Sequence, residues 1–221
     1  SRSGSKHILK NFFCLSLPSL IFILLLLELV FRYIIPASQD PYYAFDAANR
    51  MLKFSVDHDR TGVFAKANLA KIQARWHINN AGWNSDIDYS EKHIKPLIAI
   101  IGDSYIEAKQ VNTEENISAK LREMLNSQYD VYSFGISGAS LADYLQISRY
   151  VNKVFSPHIL VFNIVFNDFT ESLCGFSNGP GYMCIEERGG EMVESVEPYI
   201  PSKIKRLLRK SALIRYLHSN T

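Results

Sequence analysis

The hydrophobic positions follow three different patterns along the chain. Between Phe12 and Ile35 they are continuous: FFCLSLPSLIFILLLLELVFRYII contains only two charged residues, Glu28 and Arg32. At 1.5 Å of rise per residue this predicts about 36 Å of helix, enough to cross a hydrocarbon core of about 30 Å with some tilt. Secretory apolar regions run to about 15 residues, so the length argues for an uncleaved signal anchor over a cleaved signal peptide. Glu28 lies near the distal end with Arg32 one helical turn on, and pairing with snorkelling offsets much of its cost in lipid. Pro18 predicts a kink inside the span. From 37 to 95 no long period holds. Asn-Ala-Gly and Asn-Ser-Asp supply turn chemistry, and short strands and loops are expected there.

After Pro96 the periods alternate. LIAIIG (97–102) is an apolar run bounded by Pro and Gly, as a strand buried on both faces should be. TEENISAKLREMLNSQ (113–128) predicts a helix with Thr113 as N-cap and with Ile117, Leu121, Met124 and Leu125 on one face. YDVYSFGISG (129–138) predicts a second strand, SLADYLQISRYVNKVF (140–155) a second helix and PHILVFNIVFND (157–168) a third strand. Together these predict an α/β fold, a flavodoxin-like parallel sheet with helices on both faces, preceded by one transmembrane helix. Such a sheet has about five strands and three are legible, so the fold is expected to continue past this chain. SKIKRLLRKSALIRYLHSN (202–220) predicts one amphipathic helix beginning near Ser202. Its apolar side is expected to cover the sheet, in preference to lying on a membrane surface.

Charge divides the chain the same way. Residues 1–36 carry +3, residues 37–201 carry −7 and residues 202–221 carry +6, so the net +2 describes no single surface. The acidic middle would repel phosphate, which argues against nucleic acid as a partner. Arg2, Lys6 and Lys10 precede the apolar span, whereas Arg50 is the only cation in the first 15 residues after Pro36. The positive-inside rule therefore puts residues 1–11 in the cytoplasm, 12–35 in the membrane, and both the 36–95 lead-in and residues 96–221 outside, in the periplasm or at the cell surface. Cys174 and Cys184 bracket a Gly-rich loop. A disulfide there would contribute about 3 kcal/mol and persist only in an oxidising compartment; spacing alone leaves two free thiols open.

Ligands of parallel sheets bind beyond the C-terminal strand ends. Here those ends read GDS, GISGAS and FND. A serine at position 104 can present its hydroxyl above the sheet as a nucleophile. The Ser104 N–H, the unshielded Gly138 N–H and the Asn167 side-chain amide would form a three-donor oxyanion hole. A turn glycine at 138 and an Asx-turn at 167–168 are the structural alternatives for each residue taken alone, and finding all three at consecutive strand ends favours chemistry.

IAIIGDSYIEA, VYSFGISGAS and NIVFND resemble, in order and spacing, the first three blocks of the SGNH, or GDSL-type, hydrolases across about residues 96–170. HINNAGWNS is similar to the lead-in of membrane-anchored members. The resemblance implies Ser104 as nucleophile, Gly138 and Asn167 as oxyanion donors, and residues 96–221 as the N-terminal part of the catalytic domain. It also implies acyl-ester transfer on a carbohydrate or lipid ester, without metal or organic cofactor. Polysaccharide O-acetyl transfer by the same serine is an alternative, as is a non-catalytic binding or assembly module. Two departures stand out. Val165 occupies the place of the glycine that usually stands two positions before the asparagine. The family's last block, an Asp and a His three residues apart, is not found: none of His7, His58, His77, His93, His158 or His218 follows an aspartate at that spacing. That block is expected some 100 residues further on.

Overall fold

The computed structural model describes residues 12–220. A π-helical stretch, Phe12–Ser16, leads into α1 (Leu17–Tyr33). Four short strands follow: β1 (Tyr43–Asp46), β2 (Met51–Phe54), β3 (Thr61–Lys66) and β4 (Ile72–His77). Then come β5 (Leu97–Gly102), α2 (Ser104–Glu107), α3 (Ile117–Met124), β6 (Asp130–Gly135), α4 (Leu141–Phe155), β7 (Ile159–Phe162) and α5 (Asn167–Glu171). A hairpin of β8 (Cys184–Arg188) and β9 (Glu191–Ser195) precedes two short helices, α6 (Lys203–Leu208) and α7 (Ala212–Asn220). These form two compact units. Residues 39–64 and 73–202 make one; residues 12–38, 65–72 and 203–220 make the other.

The larger unit is built on a parallel sheet of order β6-β5-β7. All six residues of β5 are buried. Strand alternation sorts them: Leu97, Ala99 and Ile101 enter one core, shared with Tyr132, Phe134 and the α4 residues Tyr144, Ile147 and Val151. Ile98 and Ile100 enter another with Ile106 and Val131, flanked by Leu121 and Leu125. The fold is therefore mixed α/β, with helices flanking both faces of the central strand. Residues of the lead-in share the first core, where Trp83 stands edge-on to Phe134 with ring centroids 5.2 Å apart and Tyr89 stacks on Tyr132 at 3.9 Å. Fully burying a side chain such as Leu97 or Ile101 stabilises by about 1.5–3 kcal/mol.

In the larger unit the second strand ends at Gly135, not 138, and two further elements differ from the sequence expectation. The helix expected over 113–128 is a 3₁₀ turn, Thr113–Glu115, followed by α3 from Ile117. Asn116 interrupts them in extended conformation and is the N-cap in place of Thr113, accepting the Ala119 N–H at 2.9 Å. The third strand stops at Phe162, not 168. The Asp168 carboxylate accepts the Val165 N–H at 2.8 Å and turns the chain into α5. Among the described residues β7 is an edge strand, and its Ile159, Val161 and Phe162 are exposed.

The smaller unit gathers three segments that are remote in sequence. Phe12–Tyr33 is 22 residues long, apolar enough to cross a membrane, with none of its apolar window buried. This N-terminal helix fits a single-pass or signal anchor. Pro18, where a kink is expected, lies in the first turn of α1, beside the change from π to α geometry. The basic tail is two helices rather than one, and α7 packs against α1 in place of the expected cover over the sheet. Glu28 explains this. Its carboxylate accepts the Ser211 hydroxyl at 2.7 Å and the Ala212 and Leu213 N–H groups at 2.9 and 3.0 Å, which caps the N-terminus of α7. Arg32 Nε adds a bond to Glu28 at 3.2 Å, while its Nη2 donates to the Lys210 carbonyl at 2.9 Å. An isolated carboxylate at the centre of a membrane helix would cost about 2.5–3.5 kcal/mol, and these partners offset that cost.

Candidate active site

The three strand ends are brought side by side by the sheet order. The chain leaves β5, adds β6 on one side, crosses through α4 and adds β7 on the other. The C-terminal end of β5 is thus the point where the winding reverses, which is where an open parallel sheet forms a crevice. Ser104 stands at this central end, Gly138 three residues beyond β6, and Asn167 five beyond β7.

Ser104 opens α2 immediately after the strand. Asp103 is its N-cap, with Oδ1 accepting the Tyr105 N–H at 3.0 Å, and Ala108 ends the single turn in left-handed conformation at φ +53°. The hydroxyl of Ser104 is half-buried and makes no hydrogen bond among the described residues. Its backbone N–H is likewise without an acceptor. Behind it, α2 lies directly on the end of β6: a Cβ on Gly135 would sit 2.1 Å from the Glu107 nitrogen, so only glycine fits.

Glu107, one turn after Ser104, is fully buried and ties the two loops together. Its carboxylate accepts the Ser137 N–H and pairs with Lys109 at 2.9 Å, while its carbonyl accepts the Asn84 side-chain amide at 2.7 Å. Ser137 is thereby fixed one residue before Gly138. Gly138 has φ +82°, which demands glycine, and its N–H has no acceptor among the described residues. Its carbonyl accepts the Asn178 amide at 2.8 Å, and Tyr182 Oη donates to the Ser137 carbonyl at 2.8 Å. Asn178 and Tyr182 both belong to the loop closed by the Cys174–Cys184 disulfide. The cross-link thus holds the loop that braces Gly138.

Asn167 begins α5, and its side chain makes no hydrogen bond among the described residues. The next residue does the positioning. Buried Asp168 accepts the Tyr144 hydroxyl at 3.0 Å and the Val165 N–H at 2.8 Å. Burial pushes the Asp168 carboxyl up, and the neighbouring Asp103 and Glu171 push it further. The Tyr144 hydroxyl is also driven up, chiefly by burial, and stays a donor. Val165 is not among the residues with positive φ, so this turn does not need the usual glycine. Asp143, in the first turn of α4, accepts the Ser140 N–H at 2.9 Å and the Met183 N–H at 2.7 Å. Burial pushes its carboxyl up to about 7 against the pull of those donors.

No described histidine bonds Ser104. His58 Nδ1 meets Ser55 Oγ at 3.0 Å, His77 Nδ1 meets the Ser85 carbonyl at 2.6 Å, and His93 lies 3.6 Å from Asp130. His158 accepts the Leu97 N–H at 3.2 Å at the opposite end of β5, His218 lies on α7, and His7 falls outside the described residues. Sequence reasoning also overlooked Glu107, Asn178 and Tyr182. Glu107 alone carried a signal, three residues after Ser104 and so on the same side of one helical turn.

A strand-end serine on a short helix, a glycine loop and an asparagine turn thus stand at three adjacent strand ends around the winding reversal, an arrangement that fits the general SGNH type of esterase or acyltransferase. The family model described as GDSL-like lipase/acylhydrolase matches residues 98–215, and the chain belongs to that family. No curated protein and no solved structure matches it.

Proposed function

We propose that Ser104 is the nucleophile of an acyl-ester transfer. Its Oγ adds to an ester carbonyl, the carbonyl π pair moves to oxygen, and the Ser104 N–H, Gly138 N–H and Asn167 amide receive that negative charge. Collapse of the adduct breaks the bond to the alkoxide, which leaves with a proton, and water then cleaves the acyl-serine. The observation that carries this reading is that the three donors, at three adjacent strand ends, have no acceptor among the described residues. All three residues are half-buried, so their donors are open to a ligand. Each such donor is worth about 3–4 kcal/mol in a transition state.

The nucleophile must also lose its proton. The five described histidines are placed elsewhere, so the general base is assigned to a group outside residues 12–220. The same observation favours the non-catalytic module as the second reading, and labelling separates the two. A serine-directed fluorophosphonate applied to the full-length protein in membranes should modify Ser104 and leave Ser104→Ala unmodified. Equal labelling of the alanine variant would remove Ser104 from the mechanism, and no labelling of either would favour the binding module.

The substrate proposed is an ester of a carbohydrate or lipid at the outer face of a membrane. With a sugar hydroxyl in place of water, the same acyl-serine would make the protein a polysaccharide O-acetyltransferase. The cations before the span support a cytoplasmic N-terminus and a single-pass anchor with the site in the periplasm or at the cell surface. The Cys174–Cys184 disulfide supports the same side, being stable only where conditions are oxidising.

A further inference from the structure

We propose that α6, α7 and the tip of the β3–β4 hairpin form a binding surface for anionic phospholipid headgroups, held at the membrane boundary by Glu28. The proposal rests on α1 spanning a bilayer and is independent of the chemistry at Ser104.

The first observation is depth. Glu28 caps α7 five residues before the end of α1, which is about 7.5 Å of helix. Ile34, beyond that end, is still apolar and exposed. The start of α7 is therefore level with the last apolar turns of the span. Interfacial amphipathic helices bury their apolar side by about 5–10 Å at the same boundary.

The second is composition. Residues 203–220 carry six cations and no acid, and residues 65–72 add Lys66 and Lys71, again with no acid. Apolar side chains stand out among them: Ile204 is 71% exposed, Leu207 67% and Leu217 51%. Helix α6 has no buried residue at all. A six-residue helix has little intrinsic stability in water, so a surface that takes its leucines would stabilise it. An anionic bilayer takes leucines and cations together, because the stems of Lys and Arg lie along apolar surface while their heads reach phosphate.

The third is the hairpin tip. Its Leu69 is 69% exposed between Lys66 and Lys71, and Ala67, Leu69 and Ala70 hold φ of +68°, +58° and +54°. Such backbone is costly for residues with a Cβ and persists where surrounding contacts impose it. Here the Leu69 N–H donates to Tyr216 Oη at 3.2 Å, and Tyr216 stacks on Phe31 of α1 at 3.9 Å. The tip, α7 and the end of α1 are therefore fastened to one another, while Lys66, Lys71, Lys203, Arg206 and Lys210 are exposed beside Leu69, Ile204 and Leu207.

The test places a fluorophore on single cysteines at 207, 69 and 25 of the full-length protein, in a Cys14→Ser background. The protein is reconstituted in vesicles of phosphatidylcholine alone or mixed with phosphatidylglycerol. Quenching by lipid-borne nitroxide is read at each position. Position 25 reports the anchor and should be quenched in both vesicles. Positions 207 and 69 should be quenched strongly only with phosphatidylglycerol, and Lys203→Gln, Arg206→Gln and Lys210→Gln should each loosen that seating about fivefold. Equal quenching at 207 in both lipids, unaffected by the glutamines, would overturn the role of charge. Protection of 207 from an aqueous quencher without any lipid quenching would mark a protein interface and overturn the proposal. Loss of quenching at 25 would instead overturn the anchor on which it rests.

Discussion

The two units treat their polar groups in opposite ways. In the anchor unit Glu28, a carboxylate on an apolar helix, is met by the Ser211 hydroxyl, two backbone N–H groups and Arg32. In the sheet unit the N–H groups of Ser104 and Gly138 and the amide of Asn167 are met by nothing among the described residues. The sheet unit is not short of acceptors. Carboxylates at 107, 143 and 168 each take N–H donors from loops beside the site. A complete set of partners fixes the position of a group, whereas an incomplete set leaves capacity for a ligand. Glu28 serves architecture, and the three strand-end donors are the ones we propose to receive a developing charge.

The largest effect should come from the centre of the unmet set. Ser104→Ala should lower ester hydrolysis by the full-length protein by at least about 10⁴-fold while leaving thermal unfolding unchanged. A variant that retained most of its turnover would mean that the free donors serve some other ligand.

Asp143 tests the middle ground, being both hydrogen-bonded and destabilised by burial. Its folded-state value of about 7 lies above the ordinary 3.8. Below about pH 4 the carboxyl is protonated in folded and unfolded chains alike. Between about 4 and 7 the unfolded chain has released the proton and the folded one retains it, so stability falls as pH rises. The loss approaches about 4 kcal/mol and levels off above 7. The difference in unfolding temperature between wild type and Asp143→Asn, followed from pH 4 to 8, should show this slope. A difference independent of pH would mean that the donors of Ser140 and Met183 outweigh burial.

Asn167→Ala should reduce kcat by about 10²–10³-fold, equivalent to about 3–4 kcal/mol, with little change in KM, because its amide has no ground-state partner to lose. Equal losses with Asp168→Ala would be informative in a different way. Asp168 holds the turn through Val165 and Tyr144, so its removal should also lower stability, which Asn167→Ala should not do.

What the sequence made legible follows the range of the interactions. The run Leu97–Gly102, the α4 stripe and the three strand-end residues were readable because local periodicity and short motifs specify them. The exact extent of the third strand was not, because it depends on Asp168 reaching back to Val165. Thr113 reads as the N-cap, Asn116 is an equally good capping residue, and only the backbone shows which one starts the helix. Glu107, Asn178 and Tyr182 brace the site through contacts 30 to 45 residues apart in sequence. The most distant error was the tail. An apolar stripe on 202–220 indicates that a surface is to be covered but not which one, and the deciding partner is a glutamate more than 180 residues earlier.

That glutamate gives the smallest and most local prediction. Glu28→Ala removes the cap from α7 and should cost about 1–2 kcal/mol there, without disturbing the sheet unit. Hydrogen exchange on the reconstituted protein should show the Ala212 and Leu213 amides losing about tenfold or more in protection, while β5 and β6 amides keep theirs. Glu28→Gln retains one oxygen acceptor but loses the charge, so it should fall between wild type and alanine. Were both variants to exchange like wild type, the packing of Tyr216 on Phe31 would be sufficient to hold α7, and the contrast between a fully met carboxylate and unmet donors would lose its structural half.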